Sequence, residues 1–310
     1  MNVPPDQTGS QTSGQGVGEY KVIEYEVERR SAIVRLNRPD RGNAWTGRMH
    51  AEYLDAITRA EADTGVRTIV VTGSGWAFCV GGDAEALSGH AERGGYDDGL
   101  AAAGGSRPTR ADEDGVEPGG ASSSFPGPLL EHGPGSEFDQ QLAFHYRLTK
   151  PVIAAINGPA AGIGLALACF TDIRFAVPGA KLTTAHGKLG LPPEYGLSWI
   201  LPRHIGLTRA MDLLLTSRAF TTDEAYEMGL INQLLAPDGL LPAVLDYAEN
   251  LASTCGPAAL AATRHMVYLD QHRGIGQSVA ESLTRLDEMM GSPEYRQGVK
   301  ALRKKQPPAF

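Results

Sequence analysis

The chain has 310 residues, of which 42% are hydrophobic, and its formal net charge at pH 7 is −8. A chain of this length and composition can bury the core of a large α/β domain, and its negative charge argues against a general nucleic-acid or membrane-surface binder. The three cysteines, Cys79, Cys169 and Cys255, do not have metal-ligand spacing, so we expect buried thiols and no metal site.

The first 18 residues are polar and contain neither the basic region nor the apolar region of a signal peptide. We predict that residues 1–18 form a disordered leader, that a core domain spans 19–206, and that a helical region spans 207–310. A chain without a signal peptide is expected in the cytoplasm.

The core domain begins with a pattern of two strands and a helix. Residues 21–28 and 31–36 predict strands joined by a tight turn, and apolar residues at helical spacing predict a helix over 47–62 with Thr46 as its N-cap. A further strand is predicted at 67–72. A helix that crosses over between strands indicates a parallel sheet.

A first glycine-rich turn follows in the sequence AFCVGGD, residues 77–83. It comes after an apolar strand and precedes a short helical piece at 84–87. Residues 88–136 are rich in Gly, Pro and Ser and poor in large apolar residues, so we predict a mostly disordered insert or a lid there. Helical pattern resumes over 136–149.

A second glycine-rich turn lies in KPVIAAINGPAAGIGLALACFTDIRFA, residues 150–176, which predicts a strand, a turn, a helix and a strand. A membrane span is disfavoured because Asn157, Gly158 and Pro159 would lie in the bilayer. A dinucleotide fingerprint is disfavoured because the glycine spacing differs from G-x-G-x-x-G. A purely structural turn remains an alternative.

Both turns place free backbone N–H groups at the end of a strand. The first amides of a helix have no internal partner and attract negative charge. Two such turns are what an enzyme needs to hold one carbonyl oxygen between two donors.

Glu194 lies between Pro193 and Tyr195 and is the only acid between Asp172 and Asp212. A carboxylate in an apolar loop bounded by proline is poorly solvated, which favours a raised pKa and a catalytic role. An exposed loop glutamate without a catalytic role is the alternative.

From residue 207 onward the pattern is helical. Such a layer commonly covers a sheet or packs against another subunit. The predicted helices span 208–216, 222–228, 240–253, 257–269, 277–290 and 294–304.

Six motifs, in this order, resemble those of the crotonase superfamily of enoyl-CoA hydratases and isomerases, and the resemblance covers 21–310 except the insert. The motifs are LNRPDRGNA (36–44), AFCVGGD (77–83), KPVIAAINGPAAGIG (150–164), LPPEYGLSWILPRHIG (191–206), AFTTDEAYEMGLIN (219–232) and a basic C-terminal helix that ends in Phe310.

The resemblance implies an α/β fold, a spiral of ββα units with a C-terminal helical trimerisation region. The expected assembly is a homotrimer or a dimer of trimers. The expected substrate is an acyl-CoA thioester, with no separate cofactor because coenzyme A is part of the substrate, and neither nucleic acid nor a membrane is expected as a partner.

The resemblance also assigns site residues. The thioester oxygen would lie between the backbone N–H groups of Gly82 and Ile163. Coenzyme A would lie along Asn43-Ala44 and along Val80, Gly82 and Ala84.

The two glutamates of typical hydratases are absent, because the matching positions hold Ala166 and His186. Glu194 falls where a subgroup that resembles peroxisomal Δ3,Δ2-enoyl-CoA isomerases keeps a single base. We therefore predict double-bond isomerisation by Glu194, with His186 as an auxiliary polar group. Hydration that uses Glu194, or acyl-CoA binding with low activity, is the alternative.

Overall fold

A computed structural model describes residues 20–93, 138 and 141–310. The predicted leader, 1–18, lies outside the described residues, as do residues 94–136 of the predicted insert.

Nine strands are present in the described residues. In chain order they are β1 (Ile23–Glu28), β2 (Ser31–Leu36), β3 (Thr68–Gly73), β4 (Val152–Ile156), β5 (Ala160–Ala161), β6 (Ile173–Ala176), β7 (Lys181–Thr183), β8 (Phe220–Thr221) and β9 (Gln233–Leu234). Six of them form one sheet in the order β1-β2-β3-β4-β6-β9, and the other three form a small sheet in the order β5-β7-β8. The β1–β2 pair is antiparallel, and the remaining pairs of the large sheet are parallel, as the crossover pattern predicts.

The described residues also form ten α-helices. They are α1 (Gly47–Ala62), α2 (Ala84–Arg93), α3 (Ile163–Cys169), α4 (Leu197–Ile205), α5 (Leu207–Thr216), α6 (Thr222–Glu227), α7 (Pro237–Thr254), α8 (Pro257–Asp270), α9 (Ile275–Met290) and α10 (Pro293–Lys304). The predicted mixed α/β architecture with a C-terminal helical layer is confirmed.

The central strands are buried on both faces, which explains why they contain continuous apolar runs. All residues of β3 and β4 are buried. On one face Val70 and Ile153 pack in a cluster with Val244 and Ala248 of α7. On the other face the main core includes Tyr53 of α1.

Over residues 141–149, the structure differs from the helix that the pattern predicts for 136–149, whose residues 136, 137, 139 and 140 lie outside the described part of the chain. The structure has a 3₁₀ segment at Gln141–Arg147. His145 is fully buried there; its Nδ1 lies 2.6 Å from the Leu142 carbonyl oxygen, its Nε2 lies 2.7 Å from the Tyr53 hydroxyl, and its own carbonyl accepts from Arg264. These tertiary hydrogen bonds outweigh the local α-helical preference.

Helix α6 begins at Thr222, as predicted, and ends at Glu227, one residue before the predicted end. The N-cap of α6 is Thr221, whose hydroxyl accepts from the Glu224 N–H, whereas the hydroxyl of Thr222 is buried in hydrogen bonds to Val177 and Ala180. Helix α2 continues to Arg93, past residue 88 where the insert was predicted to begin.

The two glycine turns lie side by side and are joined by backbone hydrogen bonds. Cys79 and Ala160 form a parallel bridge, and the Ala161 N–H donates to the Cys79 carbonyl over 2.9 Å. A Cβ atom on Gly158 would lie 2.1 Å from the Trp76 carbonyl oxygen, and one on Gly164 would lie 2.1 Å from the Cys79 carbonyl oxygen. Glycine at these positions allows the two backbones to approach.

The apolar stretch 152–170 divides into β4, β5 and the seven-residue α3. None of the helices in the described part of the chain has the length and hydropathy needed to cross a membrane.

Gly164→Ala should destabilise the fold, by about 1–3 kcal/mol, because the added methyl group would overlap the Cys79 carbonyl. Gly239→Ala is the matched control, since Gly239 also lies in a helix but has no atom within 4 Å of an added Cβ; it should stabilise by up to about 1 kcal/mol. Urea unfolding of both variants measures the difference. Equal stabilities would show that the two turns do not depend on this close approach.

Candidate active site

A cavity of about 150 Å³ lies where the two glycine turns meet the start of α1 and the loop before α4. We call it the turn cavity. Gly82, Ile163 and Glu194, three residues that the sequence singles out from separate segments, all line it. The structure thus brings the two predicted donors and the predicted acid together, while their roles remain predictions.

The N–H groups of Gly82 and Ile163 are available to a ligand. Next to Gly82, the Trp45 N–H donates to the Gly81 carbonyl and the Asp83 N–H donates to the Trp45 carbonyl, which leaves the Gly82 N–H outside the bridge. Ile163 is the first residue of α3, whose first internal bond is donated by Ala166 to Gly162. Among the described residues neither N–H has an acceptor, which is the arrangement that a carbonyl oxygen requires.

Two glycines shape the turns that present these N–H groups. Gly81 has φ +108° and Gly162 has φ +50°, values that non-glycine residues rarely adopt. A Cβ atom on Gly81 would also lie 3.3 Å from the Ala161 carbonyl oxygen of the second turn. Both backbone conformation and close packing therefore favour glycine here.

A left-handed bend directs Glu194 toward the turn cavity. The two residues after it, Tyr195 (φ +53°) and Gly196 (φ +75°), both have positive φ, and the Glu194 carbonyl accepts from the Leu197 N–H at the start of α4. Since Tyr195 is not a glycine, this bend carries backbone strain of the kind that recurs at functional sites.

Glu194 is half-buried, and its carboxylate forms no hydrogen bond with the described residues. Burial raises the pKa of Glu194 above its ordinary value, while the charge of nearby His186 acts in the opposite direction. An unpaired carboxylate whose pKa is raised by burial is suited to take up and return a proton.

His186 is close enough to Glu194 for an electrostatic effect, but it does not line the turn cavity. It is 3% exposed, and its Nδ1 has no hydrogen-bond partner among the described residues. Its effect on Glu194 is electrostatic. His186, which the sequence predicts as an auxiliary group, is therefore close enough to Glu194 to affect its pKa.

Asp83 is a second carboxylate on the cavity wall, but it is already engaged. One oxygen accepts from the Glu85 N–H at the start of α2, and the other lies 2.9 Å from Nη1 of Arg38. This ion pair holds the first turn in shape, in keeping with a structural acid.

The predicted coenzyme-contacting residues occupy different places. Val80 and Gly82 line the turn cavity, and Ala84 follows at the start of α2. Ala44 is buried. Coenzyme contacts at these four positions remain predictions.

Asn43 is fully buried and has a structural position in its loop. Its side-chain oxygen accepts from the Arg38 N–H, and its amide donates to the carbonyls of Ser74 and Ala77. The side chain therefore fastens the 38–44 loop to the first turn and does not face the cavity.

His50, Gln141 and Tyr195 are among the wall residues that were not identified from the sequence. His50 directly follows the buried Met49 in α1 and is three residues before the buried Tyr53. A polar residue beside the buried face of a helix is the signal that could have identified His50. Gln141, at the start of the 3₁₀ segment, and Tyr195, in the loop before α4, have no such local signal.

Burial sets the chemistry of two cysteines. Cys79 and Cys169 are fully buried, which raises the thiol pKa to about 12 and about 11, respectively. They are the buried thiols that the sequence predicts, whereas Cys255 is partly exposed. In residues 20–93, 138 and 141–310, no group of three His, Cys, Asp or Glu residues could hold a metal ion.

Comparison with known structures defines the class of fold. The crystal structure of a putative enoyl-CoA hydratase from Streptomyces coelicolor superposes with a TM-score of 0.76 at 25% identity, covering 98% of this chain and 99% of that one. The fold is therefore that of the crotonases, as the motifs predicted.

The family model for enoyl-CoA hydratase/isomerase matches residues 26–101 and 129–310. A probable enoyl-CoA hydratase of Rhodobacter capsulatus is 32% identical over 94% of this chain and 98% of its own length. A 1,2-epoxyphenylacetyl-CoA isomerase of Escherichia coli is 31% identical over 92% and 96%. The chain belongs to the enoyl-CoA hydratase/isomerase family of enzymes.

His186→Gln should raise the pKa of Glu194 further, because it removes the positive charge that favours the carboxylate. Titration of ¹³Cδ-labelled glutamate by NMR measures this pKa, and the spectrum of Glu194→Gln identifies the resonance. An unchanged or lower pKa in His186→Gln would contradict the electrostatic contact.

Proposed function

We propose that this enzyme moves the double bond of an enoyl-CoA thioester, with Glu194 as its single acid and base. The observation that carries the proposal is that Glu194 faces the same cavity as two unused backbone N–H groups. The Glu194 carboxylate can move the proton, and the two N–H groups can stabilise the negative charge that forms on the thioester oxygen when the proton is removed.

The chemistry begins with a 3-enoyl-CoA. Glu194 takes a proton from C2, and the electron pair moves onto the thioester oxygen to form an enolate. The N–H groups of Gly82 and Ile163 donate to that oxygen, and each donor of this kind lowers a barrier by about 2.7–4 kcal/mol. Glu194 then returns the proton to C4 and leaves a 2-enoyl-CoA.

The absence of carboxylates at the two hydratase positions supports isomerisation over hydration. Ala166 is fully buried on α3 and offers only a methyl group, and His186 occupies the other position. Isomerisation returns the same proton that it removes, so one carboxylate is sufficient and no additional cofactor is needed. One relative is named as an isomerase and another as a probable hydratase.

Hydration is the second candidate, and the proximity of His186 to Glu194 favours it. A water molecule between the two could add to C3 of a 2-enoyl-CoA. A 3-hydroxyacyl product would distinguish this reaction from isomerisation. Acyl-CoA binding with little turnover is the third candidate.

Glu194→Gln should lower isomerisation of a 3-enoyl-CoA by about 10²- to 10⁴-fold because glutamine cannot accept the proton. Binding of a saturated acyl-CoA should be retained. In the wild type, activity should fall on acidification through a pKa above that of an ordinary glutamate, because protonated Glu194 cannot act as a base.

Glu227→Gln is the matched control, since Glu227 is exposed on α6 away from the turn cavity, and its activity should equal that of the wild type. Unchanged turnover in Glu194→Gln would remove Glu194 from the mechanism. Wild-type protein that binds acyl-CoA without turnover would favour the binding function.

We also propose that the chain assembles as a homotrimer or a dimer of trimers in the cytoplasm. An exposed apolar stripe on α9 supports association between chains. Its members recur at helical spacing and are Ile275, Val279, Leu283, Leu286 and Met290.

Leu283→Glu should lower the assembled mass because it introduces a charge into the stripe, in which Leu283 is 60% exposed. Light scattering after size-exclusion chromatography measures the mass. Thr284→Glu adds the same charge on another face of α9 and should leave the mass unchanged. A monomeric wild type would contradict the proposed assembly.

A further inference from the structure

A second cavity, of about 450 Å³, adjoins the turn cavity. We call it the aromatic cavity because most of its wall consists of rings. These are Phe138, Tyr146, Phe170, Tyr195, Trp199 and His272.

The two cavities share part of their walls. Gln141 and Tyr195 line both of them. Tyr195 directly follows Glu194, so the aromatic cavity begins one residue beyond the proposed acid. A group that extends from the reacting carbons past Glu194 would reach this second space.

Four of the rings form a closed circuit of contacts. Ring centroids are 5.7 Å apart for Phe138–Tyr146, 6.3 Å for Tyr146–Trp199, 5.6 Å for Trp199–His272 and 5.7 Å for Phe138–His272. Each distance lies in the range over which aromatic rings attract one another.

Contacts behind the wall hold two of these rings in place. Tyr146 stacks on Tyr268 with a centroid distance of 3.7 Å, and the Arg203 guanidinium carbon lies 3.9 Å from the Trp199 ring centroid. A wall whose rings are already oriented loses little conformational freedom when a ligand binds.

The composition of the wall favours one kind of occupant. Leu142 and Ala143 are its aliphatic side chains, and rings provide most of the remaining surface. An aliphatic chain gains burial from any apolar wall, whereas an aromatic group also gains stacked and edge-to-face contacts.

We propose that the aromatic cavity binds an aromatic acyl group, so that the substrate is an acyl-CoA with a ring beyond C4. This inference rests on the proposed function for the identity of the thioester. The turn cavity, at about 150 Å³, holds the reacting carbons beside Glu194, and the ring lies against Tyr195 and Trp199. The proposed reaction remains the double-bond isomerisation by Glu194.

Two saturated thioesters test the proposal by binding alone, since neither has a double bond to move. Isothermal titration calorimetry with 4-phenylbutanoyl-CoA and 4-cyclohexylbutanoyl-CoA compares an aromatic with an aliphatic ring of the same carbon number. The wild type should bind the phenyl compound about threefold to tenfold more tightly. Equal affinities, or tighter binding of the cyclohexyl compound, would overturn the proposal.

Variants then locate the preference. Trp199→Leu should remove most of it, and Trp199→Phe, which keeps a ring, should retain most of it. Tyr247→Leu is the matched control, because Tyr247 stands on α7 against Phe175, in the cluster on the other face of the sheet. Wild-type selectivity in Trp199→Leu would also overturn the proposal, and thermal unfolding checks that each variant is folded.

Failure of this inference is distinguishable from failure of the proposed function. If Glu194→Gln keeps full turnover but the phenyl preference is present, the mechanism is wrong and the aromatic cavity stands. If Glu194→Gln is inactive and the preference is absent, the mechanism stands and the proposed binding of an aromatic acyl group is wrong.

Discussion

The candidate site depends on the backbone contact between the two glycine turns. The bridge between Cys79 and Ala160 holds the strand ends side by side, so that the N–H groups of Gly82 and Ile163 reach one cavity. Backbones can approach this closely only without side chains at Gly158 and Gly164, where added Cβ atoms would overlap carbonyl oxygens. The glycines thus position backbone N–H groups, and a side chain at either glycine could not replace those groups.

The two carboxylates on the wall of the turn cavity, Asp83 and Glu194, differ in their hydrogen-bond and ion-pair partners. Asp83 is paired with Arg38 and caps α2, and it therefore serves the structure. Glu194 has no such partner and lies half-buried at a strained bend, where burial raises its pKa. A half-buried, unpaired acid beside two free donors has the elements needed for proton transfer next to a carbonyl. Ala166, which the family resemblance aligns with one of the hydratase acids, is buried on α3 and has no ionisable group.

Local patterns identified most elements because each is governed by short-range periodicity. Helix α1 has the predicted bounds of 47–62, and β2 has the predicted bounds of 31–36. The predicted helix over 136–149 was wrong within Gln141–Arg147, because the hydrogen bonds of His145 to residues distant in sequence hold a 3₁₀ form there. The two turns and Glu194 could be selected by their flanking residues. The assignment of Gly82 and Ile163 as the donors, and of His186 as an auxiliary group, came from the resemblance to the family.

The sequence by itself determined the family, the order of strands and helices, and the two turns in which glycine is required by backbone conformation. These features depend on residues that are close together in the chain. Only the tertiary structure decided that Asn43 builds a loop, that Tyr195 stands between two cavities, and that rings from four distant segments form one wall. The reason is physical: the walls of a cavity come from segments that are far apart in the sequence. Local sequence patterns do not show which of these segments pack against one another.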